Sequence, residues 1–234
     1  MTVAEPPLTI VHTAPGILEG FGRRFAPEIQ TTTGIDAPID FQIAGATVDL
    51  DRSRAIIAMG SPLMMNTPQT EWTGELSTQL VAAARAGVPV FGICFSHQML
   101  AQHFGGSLAR WDYEHEGIVD VVFRDEGPFA GIGKAPVVLT HSDRVTALGP
   151  DCIDLAHGGF GGIQAMRHRT LPMWTMQGHP ECSDAMFADI EARGITHAFR
   201  RYTFDAREDP TGHRILAAFG TLVRRLESQT AWNP

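Results

Sequence analysis

The stretch "GVPVFGICFSHQML", residues 87–100, ends an apolar run in Cys94 and begins an amphipathic one directly after it. A strand that gives way to a helix at one residue turns sharply there, and such a turn needs small neighbours. Gly92 and Ser96 flank Cys94 at two residues on either side, in the manner of the G-x-S-x-G nucleophile elbow. The amides that open the helix would point at the space above the cysteine, where they suit an oxyanion and favour a thiolate. Taken alone, a cysteine that closes a strand equally suits a buried core position, because free cysteine is among the most buried residue types.

A thiol nucleophile needs a base, and the base needs an orienting carboxylate. "MQGHPE", residues 176–181, supplies both as His179 and Glu181. In an extended segment, positions i and i+2 share a face about 6.6 Å apart, at a rise of about 3.3 Å per residue. Glu181 then reaches one imidazole nitrogen and leaves the other for Cys94, with Pro180 restricting the backbone between them. An H-P-E tripeptide alone is equally a surface turn. His97, three residues after Cys94, reads as a packing residue on the first helical turn. His12, His103, His115, His157 and His168 lack carboxylates at useful spacing. Asp143 in "HSDRV" reads as a turn residue or a substrate contact, and Cys182 as packing. Met64, Met65 and Trp72 read as pocket mouth or core.

The elements that must position these residues alternate along the first half of the chain. "LTIVHTA" (8–14), "IDFQIAG" and "RAIIAMG" (54–60) have strand character, and "VPVFGIC" is a continuous apolar strand suited to a sheet covered on both faces. Helical spacing falls at 17–30, with Pro27 weakening its second half, at 71–87, and after Cys94 up to Gly105-Gly106. This implies an open, mostly parallel, doubly wound α/β sheet with helices on both faces. From Gly117 the chain changes to short strands, "GIVDVVFRD", "APVVLTHSD", "CIDLAHG", "GIQAMRHR" and "PMWTMQGH", which read as β-rich additions at the edge of that core. "SDAMFADIEARG" begins with the capping pair Ser183-Asp184. A last helix near 212–228 aligns Ile215, Phe219, Leu222 and Leu226 on one stripe. The expected organisation is a main domain over 1–204 and a C-terminal helical extension over 205–234 packed on it, with "DAREDPTG" as the joint and "RRYTFDARED" as a solvated connection.

Composition narrows the partners. The 234 residues carry a formal charge of −8, with 44% hydrophobic and 19% charged side chains. This suits a globular domain and argues against nucleic acid, which favours a basic face, and against an anionic membrane surface. No apolar run approaches the roughly 20 residues of a membrane span. "MTVAEPPLTIV" has no basic start or apolar core of a signal peptide. Three cysteines without C-x-x-C spacing point away from a disulfide framework or zinc site, and the cytoplasm is the expected compartment.

Together, "RAIIAMGSP", "VPVFGICFSHQMLAQHFGG", "THSDRV" and "GIQAMRHRTLPMWTMQGHPE" resemble the class I (triad) glutamine amidotransferases, of the GMP-synthetase type, in the family's order over more than half the chain. The resemblance implies Cys94 as nucleophile, His179 as general base and acid, and Glu181 as its orienting group. It implies an oxyanion hole from the amides of Gly60 and Phe95. Gln98 and the backbone around Thr140, His141 and Ser142 would hold the amino and carboxylate groups of a glutamyl substrate. No metal or organic cofactor is implied. Two positions depart from the family pattern: Ser96 stands where glycine is usual, and Gly178 where phenylalanine often precedes the histidine.

Two enzymatic readings follow from the resemblance. In the first, the chain hydrolyses the glutamine γ-amide through a γ-glutamyl thioester and passes ammonia to a separate ATP-dependent synthetase. The absence of a G-x-x-x-x-G-K-[ST] loop here fits that division of labour. In the second, suggested by "QGHPE" and the C-terminal extension, it is a stand-alone γ-glutamyl peptidase. A non-catalytic binding protein on the same scaffold would have no need of all three triad residues.

Overall fold

The computed structural model describes residues 5–16, 19–45, 47–192 and 211–230. Its centre is a nine-stranded sheet of order β2-β1-β3-β4-β9-β8-β7-β5-β6. Strands β1 (Leu8–His12), β2 (Ile39–Ile43), β3 (Ala55–Ala58), β4 (Val90–Ile93) and β9 (Met173–Met176) form a parallel half. Strands β5 (Ser107–Phe123), β6 (Lys134–Ala147), β7 (Cys152–Gly158) and β8 (Ile163–His168) extend it in antiparallel fashion from β9. The β-rich second half of the chain thus continues the same sheet.

The apolar strands face two cores, as their period of two requires. Leu8, Ile10, Ile57, Phe91 and Ile93 point to one side, under α1 (Glu19–Thr33) and α5 (Thr211–Thr230). Val11, Ile56, Ala58 and Val90 point to the other, under α2 (Thr73–Arg85) and α3 (Phe95–His103). The remaining helix, α4 (Asp184–Ala192), follows the His179 segment, and Ser183 Oγ caps it by accepting the Met186 amide at 3.2 Å. Among the described residues no helix is long and apolar enough to cross a membrane.

Three elements differ from their sequence reading. Helix α1 runs through Pro27 to Thr33. The lost amide bond is offset by burial of Ala26 and Ile29 and by packing against α5. Strand β5 begins ten residues before "GIVDVVFRD", at Ser107. Its first part, "SLARWDYEHE", is too polar to show strand periodicity and is held by pairing with β6, with a register shift between Arg110 and His115.

The third difference is the buried face of α5. Ile215, Leu216, Phe219 and Val223 are fully buried, whereas Leu222 and Leu226 are half-buried flanks. A close backbone approach sets this rotation: a Cβ on Gly220 would lie 1.8 Å from the Thr33 carbonyl oxygen. At the start of α5, a Cβ on Gly212 would lie 2.6 Å from the Pro180 Cα. The helix therefore abuts both the end of α1 and the segment that carries His179. Residues 193–210, with most of the expected joint, lie outside the described residues.

Phe219 packs its ring 5.3 Å from Phe91 and 6.4 Å from Trp174. Phe219→Ala should lower unfolding free energy by about 3–5 kcal/mol, and Leu222→Ala by less than about 2 kcal/mol. Urea denaturation measures both, and equal losses would overturn this packing.

Candidate active site

Cys94 sits between β4 and α3 with φ 49° and ψ −101°. A side chain is strained there, and the conformation persists only where surroundings over-determine it. They do so at three points. The Cys94 amide donates to the Met176 carbonyl at 2.8 Å. A Cβ on Gly92 would lie 2.9 Å from Thr175 Cγ2, so the residue before the turn has no room for a side chain. Ser96 is fully buried and its hydroxyl donates to the Met59 carbonyl at 2.7 Å. Serine in place of glycine thus ties the helix start to the loop after β3. Thr13 Oγ1 joins there, 2.8 Å from both the Met59 and the Gly60 carbonyl oxygens.

His179 follows β9 in the strand position next to Cys94. Its Nδ1 lies 2.9 Å from Glu181 Oε1, so the expected pair forms, but across a turn closed by the Cys182 amide on the His179 carbonyl at 3.3 Å and not along an extended segment. Burial works against a charged imidazole, but the Cys94 sulfur and the Glu181 carboxylate outweigh it and hold the His179 pKa well above its usual value. Gly60 closes the group. A Cβ there would lie 2.9 Å from His179 Cε1 and 3.3 Å from Cys94 Cβ. Three chain segments, after β3, β4 and β9, therefore meet at one glycine.

A cavity of about 90 Å³ opens beside Cys94, several times the ~10–15 Å³ that admits one water. Its walls include Gln98, Thr140, His141, Ser142, Asp143 and the loop Ser61 to Met64. The sequence-predicted residues Cys94, Gln98, Thr140, His141 and Ser142 thus line one space, whereas Gly60, Phe95, His179 and Glu181 are not among its lining residues. Gln98 spends its Nε2 on the Asp143 carbonyl at 2.8 Å and on Gln177 Oε1 at 3.2 Å. Its Oε1 is left as an acceptor on the cavity wall.

Asp143, ambiguous in the sequence, is a buried brace. Its carboxylate takes a bidentate pair from Arg110, at 2.6 and 2.9 Å, and the Met65 amide at 2.9 Å. Arg110 also donates to the Met65 carbonyl at 2.7 Å, so the pair pins the pocket loop to the β5–β6 ladder. No local signal links Arg110 to Asp143, which lie 33 positions apart. Gln177, which also meets Cys94, had no local signal either: it lies in the bend that follows β9, outside any strand periodicity. Met64 is at the mouth, Met65 is buried, and Trp72 packs 5.7 Å from Phe95.

Four other titratable side chains, His97, His141, Cys152 and Cys182, are buried. His97 Nε2 is 2.9 Å from the Ile163 carbonyl oxygen, which only accepts, so Nε2 donates and Nδ1 accepts from Thr175 Oγ1 at 2.7 Å. Burial lowers its pKa to about 4. His141 donates through Nδ1 to the Asp143 carbonyl, and burial lowers it likewise to about 4. Burial raises Cys152 to about 11 and, with Glu181, holds Cys182 well above the usual thiol value. Among the described residues no three His, Cys, Asp or Glu side chains are grouped to hold a metal ion.

A family model, "Glutamine amidotransferase class-I", matches residues 40–189. A glutamine-hydrolysing GMP synthase subunit from Thermococcus kodakarensis is 32% identical over 145 residues, covering 61% of this chain and 77% of the relative. The corresponding protein of Pyrococcus furiosus is also 32% identical over the same coverage. A solved putative GMP synthase subunit from Thermoplasma acidophilum superposes with TM-score 0.68 at 18% identity, over 96% of this chain and 98% of its own. A glutamine amidotransferase from Methylobacillus flagellatus superposes with TM-score 0.69 at 16% identity, over 97% and 95%. These superpositions show a shared fold.

The two depressed histidines carry a pH dependence. Between about pH 6.5 and 4 the unfolded chain binds protons that folded His97 and His141 refuse, so stability is full above pH 6.5 and falls on acidification. At pH 5 each should cost about 2 kcal/mol relative to pH 7.5. Urea denaturation of His97→Gln at the two pH values should show a drop smaller than that of wild type by about that amount. An identical drop would mean that folded His97 takes up its proton as readily as it does in the unfolded chain.

Proposed function

The chain belongs to the class-I glutamine amidotransferase family, and on that premise we propose that the cavity beside Cys94 hydrolyses the γ-amide of glutamine with a Cys94–His179–Glu181 triad. The observation that carries this reading is the convergence at Gly60, where Cys94 and His179 both close on the space a glycine side chain would take. The Cys94 thiolate attacks the γ-carbonyl carbon. The oxyanion that forms is held by the amides of Gly60 and Phe95, each such donor worth about 3–4 kcal/mol in comparable sites. His179, charged at rest, gives its proton to the departing nitrogen, and ammonia leaves a γ-glutamyl thioester. His179 then takes a proton from water, the hydroxide resolves the thioester, and glutamate and the Cys94 thiolate are released. Glu181 holds the imidazole through Nδ1 and offsets its charge. Gln98 Oε1 and the backbone of Thr140 to Ser142 bind the amino and carboxylate ends of glutamine.

The ammonia goes to a separate synthetase partner that uses ATP, in the cytoplasm. The names of the archaeal relatives support a synthetase partner. We assign residues 211–230 to the same folded unit as the catalytic sheet, on the burial of α5 in its core. The peptidase alternative loses one of its sequence arguments. A Cβ at Gly178 would lie 2.2 Å from Val137 Cγ1, so glycine there answers to packing against β6.

Cys94→Ser should lower ammonia release from glutamine by about 10³-fold or more with the thermal melt unchanged, and His179→Ala should act similarly. Glu181→Gln should retain more activity than His179→Ala, since it orients and does not transfer the proton. A glutamine-like electrophile should label Cys94 and spare Cys152 and Cys182. Turnover of γ-glutamyl peptides faster than glutamine by the wild-type chain would replace this reading with the peptidase one.

A further inference from the structure

The segment after β9 that carries His179 and Glu181 presents a third polar side chain to the sulfur. Gln177 is 1% exposed, and its Nε2 lies 3.5 Å from Cys94 Sγ. The orientation of this amide is forced by its neighbours. The Asp143 carbonyl oxygen only accepts, so Gln98 must present its NH₂ group there, at 2.8 Å. The same nitrogen lies 3.2 Å from the Gln177 side chain, which must therefore offer its oxygen. Its own NH₂ group is left facing the sulfur. The Gln177 backbone amide is pinned in turn, donating to the Gln164 carbonyl at 2.8 Å.

We propose that Gln177 is a further catalytic residue, whose side-chain amide donates a hydrogen bond to the Cys94 sulfur and stabilises it as the anion. The inference rests on the triad reading given above. A thiol is a weak acceptor and a thiolate a strong one, and charge-assisted bonds are roughly twice as strong as neutral ones. The contact therefore favours loss of the thiol proton. It weakens while sulfur is bound in the thioester and strengthens again as the thiolate leaves. His179 supplies the proton chemistry, while Gln177 carries no charge and donates at every pH. The other ionisable groups facing this centre are Glu181 and Cys182 beyond His179, His141 on β6, and the Asp143–Arg110 pair in the pocket wall. His141 and Cys182 are neutral near pH 7, so a change in sulfur reactivity there reads the Cys94–His179 pair.

The test uses two variants of the full chain. Gln177→Glu keeps an acceptor for Gln98 and replaces the donor on the sulfur by an acceptor. Gln177→Met keeps the volume and removes the polar contact. The rate of iodoacetamide alkylation at Cys94, followed by peptide mapping from pH 5 to 10, needs no substrate. The half-maximal pH should rise by about one unit in Gln177→Met, and further in Gln177→Glu, matching an approximately tenfold loss of thiolate at neutral pH. With glutamine, kcat should fall about tenfold or more while KM stays within about twofold. If Gln177→Glu does not fold, Gln177→Met carries the test. A folded Gln177→Met whose alkylation profile superimposes on wild type overturns the proposal, even if its kcat falls, because Gln177 would then be structural. A shifted alkylation profile in a protein that releases no ammonia from glutamine upholds Gln177 and removes the glutaminase reading.

Discussion

A cysteine held at φ 49° and ψ −101° stands outside the regions that side chains occupy freely, at a cost of about 1–3 kcal/mol. Much of the surrounding architecture follows from keeping it there. Gly92 lets β9 approach the turn, the Met176 carbonyl takes the Cys94 amide, and the Ser96 hydroxyl fastens the first turn of α3 to Met59. Residues 95–101 are buried without a break, so the helix that follows the turn has little freedom to relax it. The turn places Cys94 at the carboxyl end of β4, on the wall of the cavity.

The order of strands then decides which chemistry meets the sulfur. Strand β4 lies between β3 and β9, all three parallel. Their carboxyl ends release three loops side by side, the usual place for a site on an open α/β sheet. One loop brings Gly60, one brings Cys94 and one brings His179 and Glu181. The approach is close enough that Gly60 has no space for a Cβ and Gly178 none beside Val137. Two departures from the family pattern, at Ser96 and Gly178, are thus accounted for by contacts that this chain makes.

Two carbonyl oxygens organise the polar side of the pocket. Met59 receives the hydroxyls of Thr13 and Ser96, joining β1, β3 and α3. Asp143 receives His141 Nδ1 and Gln98 Nε2, which uses both of its lone pairs and fixes the orientation of each donor. Its carboxylate meanwhile holds Arg110 and the Met65 amide. Buried polar groups partnered in this way are costly to rearrange, and they give the cavity a defined set of donors and acceptors, with His141 Nε2 left unpartnered. His141 in the second of these networks, and His97 on Ile163 and Thr175, are kept neutral by burial, whereas His179 is held charged.

The elbow at Cys94 and the His179–Glu181 pair were legible from residue type and spacing, because both are local in the chain, although the tripeptide closes as a turn and is not extended. The alternation of apolar strands and helices also identified the parallel half of the sheet, since its periodicity is written within each segment. What required the tertiary structure was everything set by residues distant in the chain. The first part of β5 is a strand through its ladder with β6, which overrides a polar composition. Helix α5 buries Leu216 and Val223 fully and the equally apolar Leu222 and Leu226 only in part, because Gly220 against Thr33 fixes its rotation. Arg110 reaches Asp143 across a strand pair, and Gln177 finds its orientation through Gln98 and the Asp143 carbonyl. Such contacts depend on strand order and register, which the spacing of residues within one segment does not encode.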